Sequence, residues 1–324
     1  MFDIYVTRKI PEKGLQLLGN LGNIRVWEGE LPPPREVLLK EVKTADGLLC
    51  LLTDKIDKEV LDAGQNLKVI SNYAVGFDNV DIYEATRRGI PVTNTPGVLT
   101  ETTADLAFSL LLCAARNISS GDRYVRAGLW KTWEPMLLLG RDIHEATMGI
   151  VGMGRIGQSM ARRAHGFNMR ILYTNVFPVK EVEEKYGAEH VSMDALLKEA
   201  DFISIHVPLT SETEKLIGAR ELAMMKKEAI LINSARGPII DEKALIDALK
   251  NGVIAGAGLD VFEVEPISED HPLCQLDNVV ILPHIGSASF KTRTKMAEMA
   301  AKGIVDVLHG KKPENMVNTE VFNT

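Results

Sequence analysis

The sequence predicts an α/β protein of two doubly wound parallel sheets, the second set into the middle of the chain. Three observations carry this expectation. Short apolar strands alternate with helical stretches through the first hundred residues and again from Thr147 onward. Repeated βα units of this kind imply a parallel sheet with helices on both faces. Between the two series, Thr95-Pro96-Gly97 breaks the alternation and marks a boundary. Finally, Gly152, Gly154 and Gly157 stand at the spacing G-x-G-x-x-G, between a short apolar strand at 148–151 and a helical pattern of Ile156, Met160, Ala164 and Phe167.

In the first series, strands are expected at 3–7, 24–27, 47–52, 68–71 and 90–93. One helix follows Pro11 and carries Leu15 and Leu18; another follows Pro32-Pro33-Pro34, with Pro34 suited to a first helical position. A third holds Val60 and Leu61, and a fourth runs over 80–88 and ends at Gly89. Thr100 then caps a long helix, 101 to about 117, with Leu106, Leu110 and Ala114 on one face. Residues 121–144 fit neither element. With Trp130, Trp133 and the run Met136-Leu137-Leu138-Leu139, they read as an apolar arm suited to a contact between subunits, or as a loop packed on its own domain.

The second series predicts strands at 148–151, 170–173, 202–206, 229–233, 254–259 and 279–282, a six-stranded sheet. Helices between them include 192–199 and 241–250, the latter with Gly252 beyond its end. After Ser289 a long helix with Met296, Met299, Ile304 and Leu308 returns the chain to the first unit, which is therefore discontinuous.

Composition narrows the function classes. The chain has 324 residues, 45% hydrophobic and 25% charged, as in a soluble globular protein of two domains. A net charge of −7 and only scattered basic pairs (Arg162-Arg163, Lys226-Lys227, Lys311-Lys312) speak against nucleic acid. The longest apolar run, 106–115, is too short for a bilayer span and is interrupted by Ser109, so no membrane partner is expected. The N-terminus reads as a strand without a basic leader. Cys50, Cys113 and Cys274 lack metal-ligand spacing, so no metal is expected; they suggest buried thiols in a reducing, cytoplasmic compartment.

The glycine loop points to a dinucleotide. Gly152 permits the tight turn, Gly154 lets backbone approach a pyrophosphate, and Gly157 lets helix and strand pack closely. The helix N-terminus adds free N–H groups and partial positive charge. In an open parallel sheet, ligands bind beyond the carboxyl ends of the strands. The residues there are Asn175 after the second strand, His206-Val207-Pro208 after the third and Ser234-Ala235-Arg236-Gly237 after the fourth. Asp260 and Glu263-Val264-Glu265-Pro266 follow the fifth, and Pro283-His284-Ile285-Gly286 the sixth. Taken singly, Arg236 is a turn anchor, Glu265 a solvated loop acid and His284 a structural histidine. Together at one edge they suit hydride exchange with a keto acid. The arginine fork holds a carboxylate and polarises a carbonyl, the histidine moves the proton, and a carboxylate beside it favours its charged form.

These motifs resemble the D-isomer-specific 2-hydroxyacid dehydrogenases along essentially the whole chain. Within that family, Asn72–Asp81, Thr93–Gly97 and His284–Phe290 are most like the glyoxylate and hydroxypyruvate reductases. The resemblance implies a Rossmann dinucleotide-binding domain, 99–287, inserted into a flavodoxin-like substrate domain, 1–98 and 288–324. It implies Arg236, Glu265 and His284 as catalytic residues, with Leu52, Val75 and Gly76 joining Arg236 and His284 at the substrate. Its cofactor contacts fall on Gly152, Met153, Gly154, Arg155, Ile156, Gly157, Asn175, Val207, Pro208, Thr213, Ser234, Ala235, Arg236, Asp260, His284 and Gly286. Asp260 would face the nicotinamide carboxamide. It further implies a homodimer with the long helix and the 121–144 arm at its interface. NAD-preferring members carry Asp near Asn175 and NADP-preferring members carry Arg one residue later; this chain has Asn175 and Val176, so NAD(H) and NADP(H) both stay open. A 3-phosphoglycerate dehydrogenase would need a further cation for the substrate phosphate. A dinucleotide-sensing corepressor on the same fold is the alternative of another class.

Overall fold

In each strand, residues facing opposite sides alternate, and this period of two decides which helices each side meets. The computed structural model describes residues 1–322. It divides into Met1–Leu99 with the segment from Ser287 onward, and Thr100–Gly286. Leu99 and Ser287, expected with the second unit, go with the first.

The first unit holds β1 (Phe2–Val6), α1 (Glu12–Gly19), β2 (Gly22–Val26), α2 (Arg35–Glu41), β3 (Gly47–Cys50), α3 (Lys58–Ala63), β4 (Val69–Asn72), α4 (Ile82–Arg87), β5 (Val92–Thr93) and the C-terminal helix Phe290–Leu308. The sheet is parallel in the order β2-β1-β3-β4-β5, the flavodoxin-like order. Tyr5, Leu48, Cys50, Ile70 and Val92 share a core with Leu38, Val60, Leu61 and Ala85 of the helices on one face. The opposite parity meets the C-terminal helix: the Ser71 hydroxyl donates to the Ala300 carbonyl at 2.9 Å. Boundaries depart from expectation where side chains compete for backbone groups. Pro34 precedes α2 instead of opening it. Asp81 accepts from the Glu84 N–H, so α4 begins after it. Pro91 has no N–H to give a ladder, and β5 is only two residues long.

The second unit holds α5 (Thr100–Ala115), α6 (Ile118–Arg126), β6 (Thr147–Val151), α7 (Arg155–Gly166), β7 (Arg170–Thr174), α8 (Lys180–Tyr186), β8 (Glu189–His190), α9 (Met193–Glu199), β9 (Phe202–Ile205), α10 (Ala219–Met224), β10 (Ile230–Asn233), α11 (Glu242–Lys250), β11 (Gly256–Leu259) and β12 (Val279–Ile281). Its parallel sheet runs β12-β11-β10-β9-β6-β7-β8, a Rossmann order extended by a strand, with the switch point between β6 and β9. Both faces are apolar. Val151, Leu172, Ile203, Leu231 and Leu259 enter one core, and Met148, Ile150, Ile171, Phe202 and Ile232 the other.

The expected six strands become seven because β8 pairs with β7 through two exposed residues that carry no apolar signal. The arm expected to be irregular begins with a helix, α6, none of whose residues is buried. α5 stops at Ala115, and Asn117 turns left-handed at φ +52°. The expectation of buried thiols holds only for Cys50; Cys274 is exposed. Among the described residues, no helix is long and apolar enough to cross a membrane, and no cluster of His, Cys, Asp or Glu could hold a metal ion.

Candidate active site

The loop after β6 is built by its glycines. Gly152 sits at φ +94°, and a Cβ there would lie 2.8 Å from the His206 carbonyl. A Cβ on Gly157 would lie 2.1 Å from the Gly152 oxygen, so helix and loop pack backbone to backbone. Beside Gly154 a Cβ would meet nothing within 4 Å. That open space adjoins the start of α7, where no side chain caps the helix and no acid occupies the first turn. The first N–H groups of a helix have no acceptor within it. Arg155 is exposed, Ile156 half-buried and Met153 buried in the core. The cradle fits a dinucleotide pyrophosphate: donors, positive dipole end and no obstructing Cβ.

Neighbouring loops are braced from within. The Met153 N–H donates to Asn175 Oδ1 at 3.2 Å, and Asn175 Nδ2 donates to the Phe177 carbonyl at 2.9 Å. Neither acid nor arginine stands at 175 or 176, and Val176 and Phe177 are exposed. In the Val207-Pro208 loop, the Thr213 hydroxyl donates to the Pro208 carbonyl at 2.6 Å and accepts from the Thr210 N–H at 2.8 Å. Burial pulls the His206 ring down to about 3, so it is neutral; its Nε2 lies 2.8 Å from Ser204 Oγ. Among the described residues, the Ser234 hydroxyl is buried with no hydrogen-bond partner. An orphaned buried polar atom at this edge is what a missing ligand leaves behind.

Beyond β10, Asn233 shapes the turn that carries Arg236. Its Oδ1 accepts from the Ala235 N–H at 3.0 Å, and its Nδ2 donates to the Arg236 carbonyl at 2.8 Å. Arg236 is half-buried and donates from Nη1 to the Ala235 carbonyl at 2.8 Å. Glu265 follows β11, where its Oε1 accepts from the Phe262 N–H at 3.0 Å. Its Oε2 accepts from His284 Nδ1 at 2.7 Å, with side chains 28% and 24% exposed. With Nδ1 committed to a carboxylate, Nε2 is the nitrogen left to exchange a proton. Burial pushes the Glu265 carboxyl up, but the His284 hydrogen bond and charge, the Phe262 N–H and the Arg236 charge outweigh it and hold it below the usual range.

His284 is held in the left-handed region, φ +54°, uncommon for a residue with a side chain. Asp260 explains how. It is fully buried, and its two oxygens accept from the Ile285 N–H at 2.8 Å and the Gly286 N–H at 2.7 Å. Both Asp260 oxygens thus hold the turn that carries His284. Burial raises its carboxyl, with the two peptide donors and the His284 charge opposing.

Arg236, Glu265, His284, the glycine loop and Ser234 all stand at the carboxyl edge of one sheet. Leu52, Val75 and Gly76 stand at the carboxyl edge of the first unit's own sheet. There Asn79 donates from Nδ2 to the carbonyls of Leu51 and Asp54, each at 3.0 Å, and accepts from Asn72 Nδ2 at 2.9 Å. Asn72 Nδ2 also reaches the Gly76 carbonyl at 2.8 Å, and Asn94 Nδ2 the Val75 carbonyl at 2.8 Å. The carbonyls of Val75 and Gly76 are tied down. Among the described residues, their N–H groups have no acceptor. Sequence reasoning missed Asn72, Asn79 and Asn233. The available signal was an asparagine at or just past a strand end, where its side chain serves loop backbone.

Residues 108–286 match the NAD binding domain of the D-isomer specific 2-hydroxyacid dehydrogenases. The chain is 54% identical to the glyoxylate reductase of Korarchaeum cryptofilum, over 98% of this chain and 96% of that one. Among solved structures, the TT0316 protein of Thermus thermophilus superposes with a TM-score of 0.92 at 48% identity, covering 97% of this chain and 99% of that one. An NADPH-dependent glyoxylate/hydroxypyruvate reductase of Sinorhizobium meliloti, solved with NADP and malonate, gives a TM-score of 0.85 at 32% identity, covering 98% and 97%. With this likeness along nearly its full length, the chain belongs to the D-isomer specific 2-hydroxyacid dehydrogenase family.

Proposed function

We propose that this protein reduces a short 2-keto acid, glyoxylate or hydroxypyruvate, to the D-2-hydroxy acid, using NADH or NADPH. The observation that carries the reading is the 2.7 Å contact between His284 and Glu265, on the same sheet edge as Arg236 and the glycine loop. Relatives named glyoxylate reductase support the substrate class, and a neighbour solved with NADP supports a nicotinamide dinucleotide.

The bound dinucleotide supplies the hydride. Arg236 binds the substrate carboxylate and carbonyl together, because a guanidinium presents two parallel donors. His284 gives a proton from Nε2 to the carbonyl oxygen, and Glu265 keeps the ring oriented and favours its charged form. Within the first unit, the Val75 and Gly76 N–H groups offer donors to a carboxylate, with Leu52 at the same sheet edge. Gly154, Arg155 and Ile156 hold the pyrophosphate; Ser234, Ala235, Val207, Pro208 and Asn175 line the rest of the dinucleotide site. In this reading Thr100–Gly286 is the dinucleotide domain and the other unit the substrate domain.

The protein acts as a homodimer. Trp130, Trp133, Met136 and Leu139 are 58%, 77%, 75% and 61% exposed, an apolar surface of the kind subunit contacts cover. Three free cysteines suit the cytoplasm. The test is turnover of glyoxylate, hydroxypyruvate, pyruvate and 2-ketogluconate, each with NADH and NADPH. Glyoxylate or hydroxypyruvate should be reduced with the highest kcat/KM. A folded protein that binds dinucleotide but reduces none of the four would overturn the enzymatic reading.

A further inference from the structure

The contact between Glu265 and His284 depends on a segment, Phe262–Glu265, that belongs to no helix or strand. Its position is set from outside. A Cβ built on Gly237, the residue after Arg236, would lie 1.8 Å from the Phe262 carbonyl and 2.4 Å from the Glu263 nitrogen. The Arg236 turn and the Phe262–Glu263 peptide are therefore in backbone contact. Farther along the same turn, Glu242 opens α11. Its Oε2 accepts from the Glu263 N–H at 3.1 Å, and its Oε1 meets His271 Nε2 at 3.1 Å. His271 Nδ1 accepts from the Leu273 N–H at 3.3 Å, so Nε2 bears the proton and donates to Glu242. Glu242 and His271 side chains are only 17% and 19% exposed, so this junction is largely out of water.

We propose that Glu242, steadied by His271, is a positioning residue for the acid/base pair. Successive peptides of one segment are divided between two carboxylates: the Phe262 N–H goes to Glu265, the Glu263 N–H to Glu242. Glu242 thereby presses the segment onto the Arg236 turn and presents Glu265 to His284, within range of the Arg236 charge. Nothing in this role requires Glu242 to touch substrate or dinucleotide.

The inference rests on the acid/base reading proposed above, and the experiment separates the two. The pH profile of reduction is measured for wild type, Glu265→Gln, Glu242→Ala and the double variant. The His284 ring is titrated by NMR in the same four proteins without dinucleotide. Glu242→Ala should lower kcat about tenfold or more, since small misplacements of reacting groups are expensive. It should move the alkaline limb and the ring titration to lower pH, as Glu265→Gln does, and add no further movement in the Glu265→Gln background. Glu242→Gln, which keeps an acceptor for the Glu263 N–H, should recover most of the loss. Dinucleotide affinity should not change. If Glu265→Gln moves the limb and Glu242→Ala does not, the inference is overturned while the acid/base reading stands. If Glu265→Gln itself leaves the limb in place, that reading fails first. Should Glu242→Ala not fold, Glu242→Asp, a methylene too short to reach the Glu263 N–H, replaces it with the same expected shift, and its absence counts equally against the proposal.

Discussion

Replacing Glu265 with Gln tests the core of the chemistry, because it removes the charge and leaves one acceptor oxygen where the carboxylate has two, for the Phe262 N–H and for His284. The amide oxygen can still accept from His284 Nδ1, where the carboxylate now does so at 2.7 Å. Two unit charges about 4 Å apart attract by about 1 kcal/mol in water and about 4 kcal/mol at an effective dielectric of about 20. The side chains are 28% and 24% exposed, which places the pair between these limits, at about 2 kcal/mol. At about 1.4 kcal/mol per tenfold, that sets the loss of reductive kcat/KM in Glu265→Gln at about thirtyfold. The sign follows from the contact: the His284 hydrogen bond and charge help hold the Glu265 carboxyl low against burial, an attraction that Glu265→Gln removes. Reduction consumes protonated histidine. Its alkaline limb should move to lower pH in Glu265→Gln, and oxidation, which needs the neutral ring, should extend to lower pH. The assay is kcat/KM against pH in both directions at constant ionic strength, since salt weakens a partly exposed pair. An alkaline limb that stays put or moves upward refutes the pairing as a functional one and leaves Glu265 a loop acid before Pro266.

Arg236→Lys should keep the fold and the charge but lose the fork, lowering kcat/KM about a hundredfold or more, about 2.7 kcal/mol; near-normal turnover would remove Arg236 from the substrate site. Asn175→Asp should raise the NADH-to-NADPH efficiency ratio, because a carboxylate pairs with ribose hydroxyls and repels a 2′-phosphate. It can keep the Met153 N–H bond now at 3.2 Å, so an unchanged ratio with an intact fold would place the ribose elsewhere. Asn79→Ala deletes the donor to Leu51 and Asp54 and the acceptor for Asn72, and should cost about 1–3 kcal/mol of stability. Thermal unfolding reads that loss. KM for the keto acid should rise while dinucleotide affinity holds, and equal losses in both would deny this network a specific link to the Val75-Gly76 loop.

Much of this protein is written in local pattern. Strands with apolar residues on both faces, such as Phe202–Ile205 with Phe202 in one core and Ile203 and Ile205 in the other, are legible because parallel sheets buried on two sides need them. The glycine loop is legible because Gly152 and Gly157 each answer a separate steric demand, shown by the 2.8 Å and 2.1 Å approaches a Cβ would make there. Arg236, Glu265 and His284 could be named because each lies just past a recognisable strand, and strand ends in an open parallel sheet share an edge.

Other features depend on partners distant in sequence. β8 exists only because β7 offers a ladder to two exposed residues. Asp260 lies just past a strand, and its position alone names no partner for it. Its two oxygens were claimed by peptides of Ile285 and Gly286, 25 and 26 residues onward, once β11 and β12 paired. Glu242 reads as an ordinary first-turn acid of a helix. That it reaches Glu263 and His271, 21 and 29 residues away, follows from Gly237 packing against a peptide of another loop. Periodicity reports which residues face a core. Which buried carboxylate receives which N–H is settled by chain segments meeting in space, because an unpaired group there would cost too much to leave alone.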